Sequence, residues 1–128
     1  MKRNLTLAFI ATLCVTIFSG CAALLVGAAA GAGGAAYVQG ELRMTEPVAL
    51  EAAQRAAEQA MKDLKLAVIK RQQDGLSGAI EGRTAGDQKV TIKTKRLTAK
   101  STEIRVRVGL LGDETMSRQI LSRMQANY

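Results

Sequence analysis

Three rhythms of apolar and polar residues succeed one another along the chain. Residues 5–18 are predominantly apolar, residues 22–36 are almost wholly Ala and Gly, and from residue 37 onward charged side chains recur among apolar ones at regular spacing. The third region carries the signals of a folded domain. Over residues 37–44, Val38, Leu42 and Met44 alternate with Gln39, Glu41 and Arg43, which predicts a half-buried strand. Thr45-Glu46-Pro47 follows, with Pro suited to the first turn of a helix because its missing N–H has no intrahelical partner there. Residues 48–64 then place Leu50, Ala53, Ala57, Met61 and Leu64 three or four apart, the stripe of an amphipathic helix. The small alanines in that stripe suit a close approach to a sheet.

Four further strands are expected, at residues 66–70, 77–84, 89–97 and 102–108. Asp74-Gly75, Ala85-Gly86-Asp87 and residues 98–101 supply turn chemistry between them, and connections this short favour an antiparallel meander. A last helix begins after Gly109-Leu110-Leu111-Gly112, with Asp113 as N-cap and Met116, Ile120, Leu121 and Met124 as its apolar stripe. The order is β-α-β-β-β-β-α. It defines an α+β fold of two layers, an antiparallel sheet with two helices on one face. This order is similar to that of the TATA-binding-protein-like folds, a likeness that carries no function.

The first twenty residues have the three parts of a secretory signal: Lys2 and Arg3, the apolar run, then the small residues Ser19 and Gly20 before Cys21. The run is shorter than the roughly 20 apolar residues of a spanning helix. Phe18-Ser19-Gly20-Cys21 resembles the lipobox of bacterial lipoproteins, in which the signal is cut before the Cys and that residue is acylated with diacylglycerol and palmitate-like chains. The resemblance implies lipidation at Cys21 and a permanent membrane anchor. It also implies the outer membrane, with the domain in the periplasm, because Ala22 stands where an Asp would retain such a protein in the inner membrane. Cys14 leaves with the signal, so no intrachain disulfide is expected.

The chain therefore divides into a cleaved signal (1–20), a lipidated Cys with an Ala/Gly segment (21–36) and one α+β domain (37–128). Residues 22–36 carry Gly27, Gly31, Gly33 and Gly34, and four Gly in fifteen residues weaken a helix in water. A flexible tether, a shallow membrane insertion through the Gly27/Gly31 spacing, and packing against the domain all remain open. The segment running into Tyr37-Val38-Gln39-Gly40-Glu41-Leu42, with Leu76-Ser77-Gly78, Val108-Gly109, Gly112-Asp113-Glu114 and Ser117-Arg118-Gln119-Ile120-Leu121, resembles small bacterial lipoproteins that carry a domain of unknown function. That resemblance covers nearly all of the chain after the signal and implies no catalytic residue.

Composition narrows the chemistry further. The 128 residues contain no His and no Trp, which removes His-based triads and imidazole metal sites. Ser77, Ser101, Ser117 and Ser122 have no such base and no SxxK spacing, and the carboxylates are scattered, so neither an enzyme, a cofactor nor a metal is expected. Without Lys2 and Arg3 the cations number 18 − 2 = 16 against 11 acids, a net charge of +5. Tyr37 and Tyr128 are then the only aromatics, too few for a base- or sugar-stacking platform. Alternation places Arg83, Lys89, Lys93, Lys95, Arg105 and Arg107 on the outer sheet face, interrupted by Glu81 and Glu103. A solvated sheet face whose lysines protect the strand edges from aggregation accounts for such a pattern. So does an anion-contact face. The partners expected are membrane lipid at Cys21 and another envelope protein or anionic lipid at the domain, through the basic face or a cleft between sheet and helices, and not nucleic acid.

Overall fold

The computed structural model describes residues 34–128. The expected signal, Cys21 and nearly all of the Ala/Gly segment therefore lie outside the described residues. Residues Ala35–Tyr128 form a unit with its own core. Its fold is α+β, an antiparallel six-stranded sheet with two helices.

Where alternation predicts one strand at residues 37–44, the chain folds back on itself. Gln39 (φ 51°) and Gly40 (φ 79°) both occupy the left-handed region, the requirement of the two-residue turn whose twist matches antiparallel strands. The result is a hairpin of β1 (Ala36–Val38) and β2 (Glu41–Glu46), with Val38 opposite Glu41 and Tyr37 opposite Leu42. Val38 consequently shares the outer face with Glu41, away from buried Leu42 and Met44. The expectation that it joins them fails because alternation continues unbroken through a two-residue turn. Ala35 already packs against the core, and Ala36 is paired.

β2 runs into Pro47, which precedes the first helix, α1 (Leu50–Asp63), rather than occupying its first turn. Ala49 caps α1 without a side-chain hydrogen bond. The turn entering the helix is held from the sheet, where the Thr102 hydroxyl donates to the Val48 carbonyl at 2.9 Å. The inward stripe is built from Leu50, Ala53, Ala56, Ala57, Ala60 and Met61, so four alanines set the helix close to the strands. β3 (Ala67–Gln73), β4 (Ser77–Arg83), β5 (Lys89–Thr98) and β6 (Ser101–Val108) follow as a meander, and the sheet order is β1-β2-β6-β5-β4-β3.

The second helix, α2 (Glu114–Gln125), starts as expected: the Asp113 carboxylate accepts the Met116 N–H at 2.9 Å. Its stripe of Ile120, Leu121 and Met124 meets Leu42, Met44, Ile104, Val106 and Val108 in one cluster that also includes the α1 alanines. Each aliphatic side chain buried there contributes roughly 1.5–3 kcal/mol, which makes this one-sided core the main source of stability. Both helices use the inward face of the sheet. The opposite face is left to the charged residues.

Candidate anion-binding groove

Strand pairing decides which cations meet. Ala79 of β4 lies opposite Lys93 of β5, Lys93 opposite Arg105 of β6, and Arg105 opposite Arg43 of β2. Three cations thus stand side by side across three strands, with a small residue at the end of the row. Like charges directly opposite one another destabilise a sheet. The row is only partly compensated: Arg43 pairs with Glu41 at 2.9 Å and Arg105 with Glu103. Lys93 forms no ion pair among the described residues, and Lys95, two positions on, faces Glu103 across the strands without closing one.

Ala79 leaves space where its neighbours carry long side chains. An open groove of about 970 Å³ runs over it, lined by Gln72, Lys93, Lys95 and Arg105 and closed at one end by the β3–β4 turn. That turn is built by Asp74, whose carboxylate accepts the N–H groups of Leu76 and Ser77 at 2.8 and 2.7 Å and the Ser77 hydroxyl at 3.0 Å. These bonds hold the Asp74 carboxyl below the usual carboxylate range. Glu103 is held low by its hydrogen bond from Arg105, with Lys95 and Arg43 adding to the effect. Both acids lining the groove are therefore already engaged, whereas Lys93 remains open.

The six cations expected on this face do not form one patch. Lys93, Lys95 and Arg105 converge on the groove. Arg83, Lys89 and Arg107 lie toward the other end of the sheet, where Arg83 binds Asp87 at 2.8 Å, Lys89 binds Glu81 at 3.1 Å and the Arg107 guanidinium donates to the Leu110 carbonyl at 2.8 Å. Lys89 and Lys93 are four residues apart on β5, about 13 Å. Arg43 belongs with the first group and was not foreseen. Its place depends on β2 crossing to pair with β6, a long-range contact that local alternation does not encode.

A second, smaller cleft of about 280 Å³ lies between α1 and the β3–β4 hairpin, with Gln54, Thr94 and the Glu58–Arg71 ion pair along it. Gln54 is 8% exposed, and neither atom of its amide has a hydrogen-bond partner. Gly78 makes room for it: a Cβ there would lie 2.1 Å from Gln54 Nε2. Among the described residues no group of three or more His, Cys, Asp or Glu is placed to hold a metal ion.

The fold and groove define a small two-layer α+β domain with a basic recess on its open sheet face. The chain matches the family described as "Protein of unknown function (DUF3568)" over residues 4–127, and it belongs to that family. No curated protein matches it.

Proposed function

We propose that this is a non-enzymatic envelope lipoprotein, anchored by acylated Cys21, whose domain engages an anionic group of another envelope component through the groove of Lys93, Lys95 and Arg105. The observation that carries the reading is the row Lys93–Arg105–Arg43. A like-charged row across three strands costs fold stability, and an arriving anion offsets that cost. The anchor rests on the lipobox-like Phe18-Ser19-Gly20-Cys21. Among the described residues no helix is long and apolar enough to cross a membrane, and acylation at Cys21 needs none.

Two measurements test the two halves. In cells expressing the full chain, a clickable palmitate analogue labels the protein, and Cys21→Ser abolishes the label. A wild-type protein that takes up no acyl label overturns the anchor. For the groove, residues 35–128 are titrated with a polyglutamate peptide and, separately, sedimented with phosphatidylglycerol vesicles, at low and high salt. A basic residue near an anionic surface contributes about 1 kcal/mol, so removing Lys93 and Lys95 together as Ala weakens binding by about 30-fold. Preference for the peptide assigns the groove to an acidic protein partner, and preference for vesicles assigns it to lipid. Absence of salt-sensitive binding to both probes refutes the groove as an anion site.

A further inference from the structure

We infer that the loop Gly109-Leu110-Leu111-Gly112, at the end of the sheet remote from the groove, is a bilayer-contact tip that seats the domain on the membrane holding its anchor. The inference rests on the proposed acyl anchor for the presence of that membrane. Leu110 and Leu111 are each 90% exposed and adjacent in sequence. A single exposed leucine is ordinary on a soluble domain, but two adjacent ones this bare on a loop are a contact surface.

The loop is built to keep these side chains outside. Gly109 (φ 73°) and Gly112 (φ 91°) turn the chain at both ends in conformations that other residues rarely adopt. The Gly109 N–H donates to the Lys89 carbonyl at 2.8 Å, and Arg107 holds the Leu110 carbonyl. The Leu111 carbonyl packs against Gly40, so closely that a Cβ at Gly40 would lie 2.6 Å from it, and a Cβ at Gly112 would meet Gly40 at 2.4 Å. With both carbonyls turned to the domain and the two turns interlocked, the leucines have no inward alternative.

Charge identifies the occupant. Arg107, whose guanidinium bonds the loop, has no carboxylate partner among the described residues, whereas Lys89 and Arg83 at this end of the sheet are paired with Glu81 and Asp87. Bare leucines beside an uncompensated guanidinium suit the interface of an anionic bilayer, with the apolar groups among the acyl chains and the cation at a phosphate. The chain between anchor and domain permits it. The fourteen residues 21–34 extend to at most about 48 Å, longer than the roughly 33 Å of the ten-residue strand β5, so the anchor can reach the tip. Seated this way, the domain presents the groove of Lys93, Lys95 and Arg105 away from the membrane, toward an envelope partner.

Residues 21–128 contain one Cys, Cys21, and no Trp, which makes a clean test possible. The chain is coupled through the Cys21 thiol to a maleimide lipid in phosphatidylcholine–phosphatidylglycerol vesicles, carrying either Leu111→Trp at the tip or Leu76→Trp at the groove end. Both sites are exposed, so neither substitution disturbs the core, and circular dichroism verifies this. The expected result is a blue-shifted indole at position 111, quenched by brominated lipid, and an unshifted, unquenched indole at 76. An unshifted indole at 111, or stronger lipid quenching at 76 than at 111, overturns the proposal. Because the coupling is chemical, the outcome is independent of acylation in cells. Failure of the anchor appears as missing acyl label, and failure of the tip as missing quenching.

Discussion

Gln54 stands one helical turn beyond Leu50, on the face that α1 otherwise gives to alanines, and its amide is shut away without a partner. The contrast with Ser117 is instructive, because that hydroxyl is equally buried but donates to the Asp113 carbonyl at 2.7 Å. A buried amide with nothing to bond forfeits its hydration, whereas an apolar side chain of similar shape does not. Gln54→Met is therefore expected to raise stability by about 1 kcal/mol, seen as a higher urea midpoint with an unchanged slope. A lower midpoint would mean that the amide has a partner, such as a bound water, that the protein needs. At this scale the sequence is half legible. The 3.6-residue period puts position 54 on the buried side, but only the absence of a Cβ at Gly78, a residue of another element, explains how a glutamine fits there.

Elements were read well where the signal is local and poorly where it is not. The Asp113 cap, the helix stripes and the turns of the β3–β6 meander are all set by neighbours in sequence, and they appear where periodicity and turn chemistry place them. The β1–β2 hairpin escaped because Gln39-Gly40 interrupts no alternation, although the pair has the turn chemistry of a hairpin. The groove escaped in part for a deeper reason: strand order puts Arg43 beside Arg105, and the β4–β5 register puts Arg83 opposite Lys89, four residues along from Lys93. The hairpin also supplies a prediction. A domain begun at residue 41 loses β1, the packing of half-buried Tyr37 and Ala35, and the cover over the β2 edge. Losing about 2 kcal/mol of burial lowers Tm by about 10 °C in a domain of this size, and the bared edge promotes self-association. Thermal melts and sedimentation velocity of residues 41–128 against 35–128 measure both effects, and identical behaviour of the two would remove β1 from the stable fold.

For the molecule as a whole, the balance of charge sets its response to acid. Residues 37–128 hold 16 of the chain's 18 cations and all 11 of its acidic residues. The carboxyls of Asp74, Glu103, Asp63 and Glu51 are all held below their ordinary range. For Asp74 the principal causes are the N–H groups of Leu76 and Ser77, for Glu103 the Arg105 guanidinium, for Asp63 the Gln59 and Asn127 amides, and for Glu51 its own backbone N–H. As pH falls, the unfolded chain takes up protons on these groups before the folded chain does, so stability rises with pH in that range. Their contribution is complete above the unfolded carboxylate values near pH 4–4.5 and is lost as pH falls through the lower folded values. Full protonation also carries the domain from +5 to +16, and self-repulsion adds to the loss. The expected profile is a Tm nearly flat from neutrality to about pH 5 and falling steeply below pH 4, with part of the loss recovered in high salt. Protonation of Glu103 releases Arg105 only below the ordinary carboxylate range, but Glu103→Gln makes the same release at neutral pH and should bind a sulfonated probe in the groove more tightly than the parent. A flat Tm down to pH 3 would count against the carboxylate network, and unchanged or weaker probe binding by Glu103→Gln would count against Glu103 as the restraint on Arg105.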